Sequence, residues 1–243
     1  GMLSTTVQTG YYEYAEKTIG LPGTVITAVG AVMLPRLSSL IGQKDTKQAR
    51  FLIQVTMEVM MGLTFAMAWG IFAIAADFAP TFFGEECETS GLIMMGLAPA
   101  VICQGWANVI RTQYLIPTEK DSIYVQSAWI GAIVNLAMNA ILIPHLQAMG
   151  AAVGTVCAEL AVAGYQTIKV RSELPIGKYV RYSVYYAIPS FVMVVVIKII
   201  SHYLQLTPVL HLIVEILIGG LVYLVLAGPY LNNRLKKYKV GKV

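Results

Sequence analysis

"IYVQSAWIGAIVNLAMNAILIPHLQAMGAAVGTVCAELAVAGYQTI", running from Ile123 to Ile168, carries one ionised side chain, Glu159, across two apolar runs parted by "IPHLQAMG". A helix that crosses about 30 Å of hydrocarbon needs about 20 apolar residues, and each run has that length. The stretch therefore reads as two membrane-spanning helices joined by a tight turn. The pattern recurs along the chain, giving seven spans near 12–40, 52–78, 91–116, 123–143, 148–168, 182–204 and 209–231. The other connections, "IGQKDTKQ", "FGEECETSG", "IPTEKDS", "RSELPIGK" and "QLTP", are turn chemistry and too short for a folded extramembrane domain. The fold class that follows is all-α, a polytopic membrane protein of about seven transmembrane helices.

Composition supports the same reading. Hydrophobic residues make up 57% of the chain and charged residues 12%, where soluble domains carry about 25% charge. With a mean hydropathy of +0.67, a soluble fold would expose far too much apolar surface. A net charge of +4 on such a chain points to membrane topology, and no nucleic-acid partner is expected. Cys87, Cys103 and Cys157 stand singly, with no metal-ligand spacing, and read as small buried hydrophobes; no metal and no cofactor are expected. There is no HExxH, P-loop or GxSxG, and His145, His202 and His211 all fall towards one edge of the spans, so no enzymatic constellation is expected. No secretory signal opens the chain, and Gly1 stands before Met2, which suggests a fragment.

Charge distribution orients the spans. One set of span ends gathers almost all the basic residues, among them Arg36, Lys47, Arg50, Arg111, Lys120, Arg171, Arg181 and Arg234, while the other set holds only Lys17 and Lys198. The loop "FGEECETSG" is purely acidic. Lysine and arginine accumulate in cytoplasmic loops, so the C-terminus is expected in the cytoplasm and the chain start outside, in a multi-pass protein of the cell membrane. The basic tail "NNRLKKYKVGK" reads as a topology anchor that touches anionic lipid.

Polar residues form stripes. At about 100° per residue, Glu13, Glu16, Lys17, Gly20, Thr24, Thr27 and Ala31 share roughly a third of the first helix's circumference. Glu13 and Lys17 are four apart in the order that favours attraction. A charge at mid-membrane costs about 2.5–3.5 kcal/mol, so such a face either lines an aqueous cavity or lies among the headgroups. Gln104, Asn108 and Arg111 share a face of the third span, Asn135 and Asn139 are four apart in the fourth, and Glu159 aligns with Thr155 and Gln166 in the fifth. Amides so placed serve as interhelical glue or as cavity lining. Gln54 and Glu58 pair in the second span. His211 and Glu215, one turn apart, read as a proton relay or as a hydrogen-bonded edge contact.

Three stretches carry a family resemblance. "YYEYAEKTIGLPGTVITAVGAVMLPRLSSL" resembles the eighth helix of polysaccharide repeat-unit flippases. "WANVIRTQYLIPTEKDSIYVQSAWIGAIVNLAMNAILIP" resembles the tenth and eleventh helices of capsule and teichoic-type oligosaccharide flippases, and "GAAVGTVCAELAVAGYQTIKVR" resembles the glycine-rich twelfth. The resemblance implies a fourteen-helix transporter of the MATE-like exporter superfamily, with this chain as a C-terminal half forming one lobe. Residues 1–170 would then be family helices eight to twelve, and 171–243 two further helices with the basic tail. It implies translocation of undecaprenyl-pyrophosphate-linked oligosaccharide units by alternating access, for capsule or other surface polysaccharide. The expected partners are that lipid-linked substrate, membrane lipids, and a proton or sodium as coupling ion. The cavity candidates are Glu13, Glu16, Lys17, Thr24, Thr27, Gln104, Asn108, Arg111, Asn135, Asn139 and Glu159, with Glu16, Glu58 and Glu159 as candidates for ion coupling. Lys17 and Arg111 would meet the pyrophosphate. The rival readings are a cation-coupled drug exporter of the same superfamily, a membrane-embedded glycan polymerase or acyltransferase, and a non-transporting assembly subunit.

Overall fold

In a hydrocarbon environment every backbone N–H and C=O must be satisfied within its own segment, and the chain answers with helices. The computed structural model describes residues 5–204 and 206–240, and no strand occurs among them. The helices are α1 (Thr6–Gly42), α2 (Thr46–Phe83), α3 (Glu88–Ile110), α4 (Asp121–Val170), α5 (Ile176–Tyr203) and α6 (Pro208–Val240). A 3-10 turn, Glu85–Cys87, leads into α3, and a π-helical turn, Arg111–Leu115, follows it. All six helices are long and apolar enough to cross a membrane. The basic tail is described as far as its helix, which runs to Val240; Lys242 lies outside the described residues.

Helix α4 is where the expected turn changes form. Its 50 residues would span about 75 Å if straight, far more than a bilayer core. It is a hairpin. Gln147, at φ 53° and ψ −131°, is the one residue inside it with non-helical backbone, so "IPHLQAMG" contributes a single reversal point rather than an extended loop. The arms, 121–146 and 148–170, run back along each other. Gln166 Nε2 donates to Ser127 Oγ at 2.9 Å, Gly131 lies against Val162, and Gly154 lies against Asn139. At the bend a Cβ on Gly150 would stand 2.6 Å from the backbone of Leu142. Only glycine allows so tight a return, and Pro144, which has no N–H to give, precedes it. Counting the two arms, the described residues form the seven long helical segments that the sequence predicts. Pro22, Pro35, Pro99 and Pro189 lie inside unbroken helices.

Helix α3 is the most enclosed: 61% of its most apolar window is buried, against 11% in α4. It packs against α2, and Met57, Met60 and Met61 of α2 and Ile93, Met94 and Leu97 of α3 are all buried in the same core. Close approach rests on small residues, since a Cβ on Gly91 would meet the Ala75 carbonyl oxygen at 2.6 Å, and one on Gly105 would meet Thr64 at 2.4 Å. α1 and α4 pack on α3, whereas α5 and α6 pack on α2.

A buried ionic knot fixes α6. Glu58 on α2, with a fully buried side chain, accepts from Arg234 Nε at 3.0 Å. Arg234 Nη2 also donates to Tyr182 Oη of α5 at 2.9 Å, and Gln54 Nε2 donates to the same hydroxyl at 2.9 Å. The long arginine stem reaches inwards from the tail, so this residue of the basic segment is a structural strut as well as a charge at the membrane edge.

Gly91→Val should cost about 1–3 kcal/mol by overpacking and lower the Tm in detergent, while Gly164→Ala, which meets nothing within 4 Å, should not lower it. Arg234→Met should cost about 3–5 kcal/mol, because Glu58 is left buried and uncompensated; the double change Glu58→Leu with Arg234→Met should recover most of that loss in the same melts.

Candidate functional site

The face of α1 predicted to be polar is exposed from end to end: Glu13, Glu16, Lys17, Gly20, Thr24, Thr27 and Ala31 are all open. The Thr24 and Thr27 hydroxyls donate to the carbonyls of Leu21 and Gly23 at 2.7 and 2.8 Å, so each satisfies itself on its own helix. The attraction expected between Glu13 and Lys17 produces no ion pair among the described residues; for two exposed side chains such a pair gains only about 0–1 kcal/mol.

Next to that stripe lies a polar cavity of about 220 Å³ formed by α1, α3, the π-turn and the second arm of α4. It unites Thr27, Gln104, Asn108, Arg111 and Glu159 with the small or apolar residues Gly23, Ile26, Ala107 and Val162. Gln104 Nε2 donates to the Glu159 carboxylate at 3.1 Å. Asn108 is buried where α1 comes close, and a Cβ on Gly30 would stand 2.7 Å from its Oδ1. Arg111 opens the π-turn, in which the Ile116 N–H reaches back to the Arg111 carbonyl at 3.0 Å. Such turns insert one residue into a helix and occur often at functional sites. The Arg111 guanidinium stands 5.5 Å from the centre of the Tyr124 ring on the first arm of α4. The cavity thus carries a cation, a carboxylate and two amides, a lining that can replace water around a polar, hydrogen-bonding group.

The remaining candidates lie elsewhere. Asn139 Nδ2 donates to Asn135 Oδ1 at 3.0 Å inside the α4 hairpin, where Asn139 fits against Gly154; neither lines the cavity. Glu58 is engaged by Arg234. Tyr12 and Thr155, which were not singled out as site residues, share a 3.0 Å hydrogen bond that ties α1 to the second arm of α4. An apolar groove of about 490 Å³ between α2, α5 and α6 was also missed. Gly62, Gly70, Gly219, Gly220 and Gly228 hollow it, and the glycines of "LIGGLVYLVLAG" were the signal available. From Glu215 to Leu231 it follows α6 for about 24 Å at 1.5 Å per residue.

With a polar cavity and an apolar groove in one helical bundle, the comparison with known proteins is decisive. Residues 2–219 match the family described as lipid II flippase MurJ. The chain belongs to that family. It is 24% identical over 225 residues to the lipid II flippase MurJ of Bacillus subtilis, covering 87% of this chain and 41% of that protein. It is also 24% identical over 155 residues to a probable low-salt glycan biosynthesis flippase of Haloferax volcanii, covering 64% of this chain and 33% of the relative. A solved lipid II flippase MurJ in an inward closed conformation superposes with a TM-score of 0.78 at 18% identity, over 94% of this chain and 48% of that one. The chain therefore spans less than half the length of the relatives it matches. The expectation of a lipid-linked flippase family holds, and the family that matches is the lipid II group rather than the capsule or teichoic type. These are transporters, in keeping with the expectation of no enzyme.

In the intact protein freed of its native cysteines, Thr27→Cys should react readily with a hydrophilic thiosulfonate, whereas Ser127→Cys, fully buried between the α4 arms, should stay unlabelled in a mass-spectrometric time course.

Proposed function

We propose that this chain forms one lobe of a flippase that carries a lipid-linked glycan headgroup, of the lipid II kind, across the cell membrane. The observation that supports it best is the cavity of Thr27, Gln104, Asn108, Arg111 and Glu159, which continues the open polar face of α1. A headgroup that is both anionic and rich in hydroxyls cannot enter hydrocarbon without replacement of its water. Arg111 and, further along α1, Lys17 supply cationic partners for a pyrophosphate, and the amides and Glu159 supply partners for sugar hydroxyls. The cationic lining disfavours the drug-exporter reading, in which the substrates are themselves cations. The polyprenyl chain would lie in the apolar groove, where α2 of the 1–170 unit meets the two helices of 171–243.

On this reading the basic end of the bundle is cytoplasmic, and the acidic end with Glu85, Glu86 and Glu88 faces out. Opening and closing against a second lobe would expose the α1 face to each side in turn. Glu16 and Glu159 are the carboxylates placed to bind a coupling proton or sodium, one on the stripe and one in the cavity. Glu58 already has a cation.

In cells that depend on the intact protein, Arg111→Ala and Lys17→Ala should each lower headgroup translocation about tenfold or more, from the loss of about 1.5–3 kcal/mol of charged hydrogen bonding. Lipid-linked precursor should accumulate in the inner leaflet, measured by leaflet-specific cleavage of the headgroup. Normal export by both variants at normal protein levels overturns the cavity assignment.

A further inference from the structure

The one acidic side chain among the residues that line the apolar groove is Glu215, and its carboxyl group is fully buried. Among the described residues neither of its oxygens takes a hydrogen bond. The imidazole of His211, one turn earlier on α6, can share a proton with it, with Nε2 at 3.4 Å, and the Ser201 hydroxyl of α5 also lies beside the carboxyl. That nitrogen also lies 2.9 Å from Ser201 Oγ on α5. On the far side, His211 lines a second pocket of about 350 Å³ at the acidic end, together with Asp77, Thr81 and Glu85. The two side chains therefore bridge a polar pocket and an apolar groove, the histidine on one side and the glutamate on the other.

We propose that His211 and Glu215 form a proton-binding site at this end of the groove, with the proton held on the carboxyl that faces it. The other charges nearby are Asp77 of α2 and Lys198 of α5, and these pair with each other at 3.7 Å. With a neutral imidazole and an ionised carboxylate, the dyad would leave one negative charge in an apolar wall with no cation paired to it, an expensive state. One added proton brings the pair to zero charge. The neutral pair suits the groove better than a buried imidazolium–carboxylate pair, which would have to desolvate two ions. His211, open to the polar pocket, is the route by which the proton enters and leaves.

The site has a consequence that rests on the groove holding an alkyl chain. A chain that fills the groove puts hydrocarbon where solvent can otherwise enter beside Glu215, and so suits the neutral pair better than a charged one. By linkage, the proton favours the chain to the same degree.

The test uses the intact protein in lipid vesicles and dicyclohexylcarbodiimide, an apolar reagent that consumes protonated carboxyls. The carboxyl oxygen adds to the central carbon of the reagent and its proton goes to a nitrogen; acyl transfer then leaves a stable N-acylurea that retains the whole reagent. Peptide mass spectrometry should find this adduct on Glu215 near neutral pH, lost as the pH is made alkaline and absent from Glu215→Gln. Glu58, held by Arg234, should carry none in the same samples. No adduct on Glu215 near neutral pH, or one whose yield ignores pH, overturns the proposal. The readout needs no transport, so its failure is distinct from failure of the flippase reading.

Discussion

Lipid tails are as apolar as leucine, so nothing drives one apolar helix onto another in a membrane except close fit and the few polar contacts between them. The fold depends on that close fit. It occurs where a glycine lets a neighbouring segment come close: Gly91 on the Ala75 backbone, Gly105 on the Thr64 side chain, Gly150 on the Leu142 backbone. The first two seat α3 on α2 and so place the floor of the cavity, and the third closes the α4 hairpin that brings Glu159 back towards Gln104. Gly30 serves the site directly, since any side chain there would displace the Asn108 amide. These glycines give up helix propensity, about 1 kcal/mol each relative to alanine, for contact area that no larger residue could reach.

Three buried or half-buried carboxylates show how differently one bundle can treat a charge. Glu58 is neutralised by Arg234 within a knot that also includes Tyr182, and its part is to hold α6. Glu159 is held by the Gln104 amide beside Arg111, in a cavity where polar ligands can compete for those partners. Glu215 has the His211 imidazole beside it and an apolar groove in front. Location in the bundle, rather than residue type, separates a carboxylate paired with arginine from one held by an amide in a polar cavity and from one buried beside an imidazole.

The bundle also separates two solvents. Polar groups gather where α1, α3 and the second arm of α4 meet, and glycine-hollowed apolar surface gathers where α2, α5 and α6 meet. An amphipathic lipid-linked substrate has the same division, with its linkage between the two. α2 packs against α5 and α6 and also against α3, so it links the two compartments, and Trp106 of α3 adds a direct contact to Tyr179 of α5.

The sequence by itself determined the helices, their number and their apolar faces, because run length against bilayer thickness is a local property. It also marked the polar stripe on α1 and the shared face of Gln104, Asn108 and Arg111, since helical periodicity places them together without reference to any partner. Which stripes meet was decided only by tertiary structure. Asn135 and Asn139 have the same spacing and chemistry as cavity residues, yet the reversal at Gln147 turns them into the hairpin seam. That Glu58 pairs with Arg234, 176 positions later, is likewise visible only in the fold. The groove left only glycines as its trace, because a hollow is made by what is missing on three helices at once, and that sum exists only when they pack.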